Sequence, residues 1–248
     1  MKYNFSKLWE IQFFGYHEFR YFWDFASNEE AQRDYYRKLD IVGIDENGLH
    51  ETKMTESMVE SNISDNRRAL ALIKNQHIVF LFTRFENVIQ ETIECLICNK
   101  PEKILDIIKV DSSYQEALGF SIKEFIRYES KEEYIVVMSK KLSSKLLSGK
   151  PSTVIKRLRP ILKFDDIDTS ALDELMIKRN NIVHEGKVYD IELDELGLYY
   201  EAIEKLLTNL ALALINVGIE VIDEGTLLSN NILDEENSLH VDAFYTRG

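Results

Sequence analysis

The sequence predicts an all-α protein, and its composition supplies the main reasons. Only 3 prolines and 10 glycines interrupt 248 residues, so obligatory turns are few. Between them run long segments rich in Leu, Ile, Lys and Glu, which favour helices. Hydrophobic residues make up 45% of the chain, enough to bury a sizeable core, and they recur at helical spacing. We therefore expect a helical bundle.

Residues 1–52 are predicted to form an aromatic-rich helical extension. Aromatic side chains crowd the segment between Phe13 and Phe25 and return at Tyr35-Tyr36. They lack interleaved basic residues, which favours a place in the core or a dimer interface over a base-stacking surface. The pattern predicts two helices, with Ser27 as the N-cap of the second. Residues 43–52 carry turn chemistry and mark the boundary with the next domain.

Residues 53–222 are predicted to form the main helical domain. Its helices end at residues such as Pro101, Pro160 and Gly186, which disturb or terminate helices. We predict helices, or groups of helices, over residues 53–99, 102–148, 154–163, 171–185 and 194–222. Thr169 or Ser170 is the candidate N-cap of the helix at 171–185. Residues 223–248 form an acidic polar tail, in which 240–245 are a candidate extended segment.

Charge and hydropathy exclude several classes of protein. The formal net charge of −13 repels phosphate backbones at long range, which argues against a general nucleic-acid coat protein. The longest uncharged run, from Leu206 to Ile219, is shorter than the roughly 20 residues of a membrane span. The acidic N-terminal segment does not resemble a signal peptide. Cys95 and Cys98 fit a reducing compartment and ordinary packing roles. We expect a cytoplasmic protein with no membrane span.

One segment concentrates polar chemistry on a predicted helix: Arg179-Asn180-Asn181-Ile182-Val183-His184. At about 100° per residue, Arg179 falls in the middle of an apolar face. An unpaired buried charge is costly, so this arginine requires an anionic partner or a functional cleft. Asn180 and His184 lie one turn apart, where their side chains can meet. The structural alternative is an ion pair at Arg179 and a histidine that complements the helix dipole.

A second predicted helix supplies an opposite charge. Glu86 falls within an apolar stripe that includes Phe82 and Ile89. Two amphipathic helices thus each carry one charge, of opposite sign, within the buried face. We predict a salt bridge between Glu86 and Arg179, within one subunit or across a shared cleft. For Glu86, structural pairing and a place in an active site both stay open.

The Arg-Asn-x-x-x-His string that closes this helix resembles the signature of HEPN domains. An upstream helix with Phe85-Glu86 is similar to the equivalent position in the RiboL-PSP-like branch. The resemblance covers roughly residues 55–222. It implies a helical bundle that dimerises so that two motifs face one cleft. Many members are metal-independent endoribonucleases, often toxins or antiviral effectors, and others are binding or dimerising modules. Gly186 stands where one toxin subgroup has a tyrosine, which argues against membership of that subgroup.

The resemblance also implies roles for the motif residues. RNA carries its own nucleophile in the 2′-OH, so cleavage needs a base, charge stabilisation and positioning, with no metal or cofactor. His184 is the expected base, because an imidazole gains and loses a proton near neutral pH. Arg179 would hold the phosphate, and Asn180 would orient the imidazole or a phosphate oxygen. Glu86 completes the expected site. The histidine of a second subunit could protonate the leaving 5′ oxygen.

A basic run precedes the motif helix. Residues 139–164 contain eight lysines and arginines and no acidic residue. This run is either an ordinary solvated face or an RNA contact. If the run contacts RNA, the predicted RNA-binding residues are Lys156, Arg157, Arg159 and Lys163. The remaining histidines and the cysteines have no metal-ligand spacing, so no metal is expected.

Two functions therefore compete at this level. The first is a homodimeric HEPN-type endoribonuclease of a toxin–antitoxin or antiviral defence system, with RNA as substrate and a neutralising antitoxin or regulatory protein as a possible partner. The second is a catalytically inactive HEPN protein that binds a nucleotide or a protein. A motif that opens to solvent favours the first function, and a motif sealed within one subunit favours the second.

Overall fold

A computed structural model describes residues 1–46, 48–110, 125–224 and Leu228. Within them the chain forms eight helices and four short strands. The helices are α1 Phe5–Ala26, α2 Glu29–Lys38, α3 Glu56–Asn99, α4 Lys103–Val110, α5 Lys131–Leu146, α6 Pro151–Leu162, α7 Ser170–Glu185 and α8 Leu193–Asn216. The strands are β1 Tyr3–Asn4, β2 Asp40–Asp45, β3 Gly48–Lys53 and β4 Val221–Ile222. The all-α prediction is confirmed.

Helix α3 is the axis of the bundle. Its 44 residues are longer than any other element, and α1, α2, α5, α7 and α8 all pack against it. Its C-terminal half is buried on several sides: Ile78, Leu81, Ile89, Ile93 and Leu96 have no exposed surface. Its N-terminal half is mostly exposed and is flanked by α2. The helix ends at Asn99, before the predicted Lys100-Pro101 terminator.

The N-terminal region is part of the same core. Tyr3, Phe5, Leu8, Phe19 and Trp23 are buried in one hydrophobic cluster with residues of α3 and α8. Strand β1 also pairs in parallel with β4, which lies just after α8. The aromatic side chains of α1 therefore divide into a buried set and an exposed set, and the exposed set includes Tyr21 and Phe25.

Several predicted boundaries are corrected by the structure. Asn28, and not Ser27, caps α2, because its side chain accepts a hydrogen bond from the backbone N–H of Ala31. The segment predicted as a turn at 43–52 is most of a β-hairpin, in which β2 pairs antiparallel with β3. Helix α6 starts at Pro151 and continues through Pro160. Helix α8 ends at Asn216 and not near 222, since the chain turns at Gly218, which has φ +78°. The candidate extended segment at 240–245 lies outside the described residues.

None of the helices in the described residues combines the length and the apolarity that a bilayer crossing requires. Both cysteines are free thiols: Cys95 is buried and Cys98 is half-buried, as expected for ordinary packing roles.

Candidate active site

Helix α7 carries the motif to its own C-terminal end. Leu172 and Leu175 are fully buried and fix the first half of the helix against the core. The helix stops at Gly186, whose φ of +66° is readily adopted only by glycine, and whose backbone N–H bonds the carbonyl of Asn181. This stop leaves the last turn of the helix, with Val183 and His184, exposed to solvent.

Arg179 is half-buried and has two neighbours within the subunit. Its Nη1 donates a hydrogen bond to Asn180 Oδ1 at 3.0 Å. Its guanidinium carbon also lies 5.7 Å from the ring centroid of Phe82 on α3, within the range of a cation–π interaction. These contacts hold the arginine at the junction of α7 and α3. They leave most of its five N–H donors available to an anion.

Glu86 lies on the facing side of α3 and is also half-buried. Burial raises the pKa of its carboxyl group, and the nearby positive charge of Arg179 partly offsets that effect. The described residues contain no ion pair within 4.0 Å between the two, so the predicted direct salt bridge is not formed within the subunit. The reason is that neither group is fully buried, and the arginine is satisfied in part by Asn180 and Phe82.

His184 occupies the last turn of α7 and is exposed. A cation in this position would complement the negative end of the helix dipole. Asn180 lies one turn earlier on the same side of the helix. The polar side chains of the motif therefore share one open end of α7, with Arg179 at its base and His184 at its rim.

A hydrogen-bonded clamp holds the loop that follows the motif, and sequence reasoning missed it. Asn75 of α3 is only 2% exposed. Its Nδ2 donates to the carbonyl of Tyr189 at 2.8 Å, and its Oδ1 accepts from the backbone N–H of Tyr189 at 2.8 Å. The Tyr189 hydroxyl in turn accepts a hydrogen bond from Asn181 Nδ2 of the motif at 2.5 Å. A buried asparagine and a loop tyrosine, 114 residues apart in sequence, thus fix the motif and its exit loop to α3.

The predicted RNA-binding residues fall into different environments. Arg157 is half-buried and donates to the carbonyls of residues 146 and 148, at 3.4 and 2.5 Å, so it caps the end of α5. Arg159 forms an ion pair with Asp166 at 2.9 Å. Lys156 and Lys163 are exposed and have no ion pair within the described residues. Two of the four residues thus have partners within the subunit and two do not, and RNA contact by the four stays a prediction.

Two shallow cavities flank α6 and contain these lysines. Lys156 and Arg159 line the first, together with Asp166 and Asp168. Lys163 lines the second, where it meets two further lysines and one aspartate, at positions 103, 109 and 106. The described residues contain no group of three or more His, Cys, Asp or Glu side chains placed to hold a metal ion.

A helical bundle in which an Arg-Asn-x-x-x-His string closes one helix is the arrangement of a HEPN-type domain. A family model described as RiboL-PSP-HEPN matches residues 51–216, which is most of the chain, and the protein belongs to this family. The match confirms the resemblance inferred from the motif and its helix order. Comparisons with curated proteins and with solved structures found no match.

Proposed function

We propose that this protein is an endoribonuclease that cleaves RNA by attack of a 2′-OH on the adjacent phosphate. The observation that carries the proposal is the openness of the motif. His184 is exposed, and Arg179 and Asn180 are half-buried at the same end of α7. A structural ion pair and a sealed helix end would leave no access for a substrate, whereas this arrangement gives a phosphate a route to all three side chains.

Each motif residue has a defined task in this reaction. His184 removes the proton from the 2′-OH, whose oxygen then attacks phosphorus. Arg179 binds the phosphate oxygens and stabilises the charge that develops on them. Asn180, which already accepts a hydrogen bond from Arg179, holds the guanidinium in position. Because RNA supplies the nucleophile, the reaction needs no metal-bound water. The products are a 2′,3′-cyclic phosphate and a 5′-hydroxyl.

Glu86 has a positioning task in this scheme. Its carboxyl group lies near enough for the charge of Arg179 to affect its pKa, but it does not bind the guanidinium directly. A carboxylate in this place attracts the arginine towards α3 and leaves the N–H donors free for phosphate. A direct salt bridge would instead compete with the substrate for the same donors.

We further propose that the active form is a homodimer in which two motif helices face each other. Large apolar side chains are exposed around the motif: Ile177, Val183 and Val188 have 51%, 48% and 58% of their surface accessible. Exposed apolar surface of this kind, rimmed by polar groups, is typical of an interface between subunits. A second copy of α7 would cover these side chains and enclose the two motifs in one cleft.

The proposed biological setting rests on the resemblance to the family and not on the geometry. As in other HEPN proteins with this motif, we propose a cytoplasmic toxin or antiviral effector, held inactive by an antitoxin or regulatory protein until it is needed. RNA is the proposed substrate, and no cofactor is required.

The test is cleavage of cellular RNA by the purified protein in the presence of EDTA. We expect wild-type protein to cut and His184→Ala to be inactive while it keeps its fold and its oligomeric state. The matched control is His50→Ala, which removes an exposed histidine from the β-hairpin and should cut like the wild type. A folded wild-type protein that cuts no RNA would favour the binding-module function. A strict monomer at micromolar concentration in light scattering would refute the dimer.

A further inference from the structure

We propose that the cavity between α4 and the end of α6 binds a phosphate group of the RNA backbone, at a site separate from the motif of α7. The inference rests on the proposed ribonuclease function, which supplies RNA as the ligand, and it adds a second place where the strand is held. None of the described residues that line this cavity lies on α7. They are Lys103, Asp106, Lys109, Pro160, Ile161 and Lys163.

The charges around the cavity favour an anion. Three lysines and one aspartate line it, which leaves an excess of two positive charges. Lys103 Nζ lies 3.0 Å from one carboxylate oxygen of Asp106, and Lys109 Nζ lies 3.3 Å from the other. The hydrogen bond from Lys103, followed by that from Lys109, lowers the pKa of the Asp106 carboxyl group, so this group stays ionised at neutral pH. Asp106 therefore holds two ammonium groups at the cavity without neutralising the cluster.

Lys163 supplies the third positive charge from an unfavourable backbone conformation. It is the C-cap of α6, with φ 59° and ψ 50°, and no other residue except glycine has a positive φ in the described ranges. Glycine adopts this left-handed conformation without the steric cost that a Cβ atom carries. The Lys163 side chain is exposed, and within the described residues it forms no ion pair. An anion in the cavity would give this side chain a partner and account for a lysine at a position that suits glycine.

The size and the lining of the cavity favour a backbone phosphate over a whole nucleotide. Its volume is about 360 Å³, which lies at the small end of ligand sites, about 300–1,000 Å³. None of the described side chains that line it is aromatic, so no ring is present on which a base could stack. The ammonium group of a lysine binds phosphate as a point charge and carries no preference for a base. The cavity therefore suits the backbone of a strand whose bases lie outside it.

The experiment measures how tightly the full chain binds a single-stranded 2′-O-methyl RNA over a series of salt concentrations. This RNA lacks the 2′-OH nucleophile, so it stays intact during the measurement. The test variant combines Lys109→Ala with Lys163→Gly. Glycine removes the charge and relieves the backbone at position 163, and Lys103 can still pair with Asp106.

The matched control combines Lys38→Ala with Lys131→Ala and changes the net charge by the same amount. Both lysines are exposed, neither lines the cavity, and neither forms an ion pair in the part of the chain that the structure describes. Each phosphate that a protein neutralises on a single strand contributes about 0.7 to the slope of log K against the logarithm of salt concentration. Loss of one such contribution corresponds to about fivefold weaker binding at about 0.1 M salt relative to 1 M.

We expect the test variant to show both of these losses and the control to keep the wild-type slope. Lys163→Gly alone should melt at the wild-type temperature or above it, because the left-handed conformation suits glycine. A lower melting temperature together with weaker binding would assign Lys163 a structural role and overturn the proposal. An unchanged slope in the test variant would also overturn it, and so would an equal loss in the control, since general charge attraction gives that result.

Two further readouts separate the ligand and the function. Inorganic phosphate is titrated in parallel by calorimetry. Binding of this ion that the test variant loses, with an unchanged RNA slope, would identify free phosphate as the ligand and overturn the assignment to RNA. Wild-type protein that binds RNA with the expected difference in slope but cuts none would refute the ribonuclease function and support the site. Wild-type protein that binds no RNA would refute both.

Discussion

Asn75→Ala should loosen the loop after the motif helix and lower the stability of the whole protein. In the structure, the Asn75 side chain satisfies both polar groups of the Tyr189 backbone. Alanine keeps the helix but removes both partners. Because Asn75 is 2% exposed, water has little room to replace it without rearrangement of the loop.

The expected loss follows from these two bonds. A buried backbone group without a partner costs about 1–3 kcal/mol, and the half-exposed loop can recover part of that cost from water. The higher helix propensity of alanine offsets roughly 0.5 kcal/mol of this loss in the free energy of unfolding. We therefore expect a net loss of about 2 kcal/mol in the free energy of unfolding. For a chain of this size that corresponds to a melting temperature lower by about 4–8 °C.

Urea unfolding at one fixed protein concentration measures this loss, since dimerisation would make stability depend on concentration. Asn209→Ala is the matched control. Its side chain also sits on a helix, but it bonds only the carbonyl of Lys205 in its own helix. The control should change stability by less than about 0.5 kcal/mol. Equal stabilities of the two variants would show that the Asn75 bonds do not hold the loop and would refute the clamp.

Three further predictions concern charged and titratable groups. Burial raises the pKa of the Glu86 carboxyl group above its ordinary value of 4.5, so ionisation of this group lowers the free energy of unfolding as the pH rises past that value. In urea unfolding, Glu86→Gln should therefore be as stable as wild type at pH 4 and more stable than wild type at pH 7. A variant less stable than wild type at pH 7 would instead indicate an ion pair with Arg179. Lys156→Ala should reduce the slope of log K for RNA binding against the logarithm of salt concentration by about 0.7. Arg157→Ala removes the hydrogen bonds that cap α5 and should mainly lower the urea concentration at the midpoint of unfolding. The reverse pattern would contradict both assignments. Burial lowers the pKa of His77 to about 4, so the free energy of unfolding should decrease by up to about 3 kcal/mol as the pH drops from 6.5 to 4. In His77→Phe this decrease should be smaller. An unchanged dependence of stability on pH in that variant would show that His77 is not its cause.

The helices that depend on local signals could be predicted from the sequence. The long apolar stripe of α3 and the glycine stop of α7 depend on residues within a few turns of one another, and both are found where they were predicted. The motif could be read for the same reason, because its three polar residues lie on one helix end. The hairpin has a local signal too, an Asn-Gly pair at positions 47–48, but from the sequence its short strands are predicted only as a turn.

Features formed by distant parts of the chain could not be predicted in this way. The pairing of β1 with β4 joins residues 3–4 to residues 221–222, where the sequence predicts the last turns of α8. The clamp between Asn75 and Tyr189 is likewise tertiary, since an asparagine inside a helix and a tyrosine in a loop carry no shared pattern. The Glu86–Arg179 prediction identified the correct neighbours, but helix-face geometry cannot distinguish contact from proximity.

The chemical nature of the RNA ends tests the central claim most directly. A single RNA cut to completion in EDTA by wild-type protein should yield 5′ fragments that end in a 2′,3′-cyclic phosphate and 3′ fragments that begin with a 5′-hydroxyl. A 2′-deoxy substitution at the cleaved nucleotide should block the cut, because it removes the nucleophile that His184 would activate. Mass spectrometry of the fragments reads both ends at once. Fragments with a 5′-phosphate, produced only when Mg²⁺ is present, would contradict the proposed reaction.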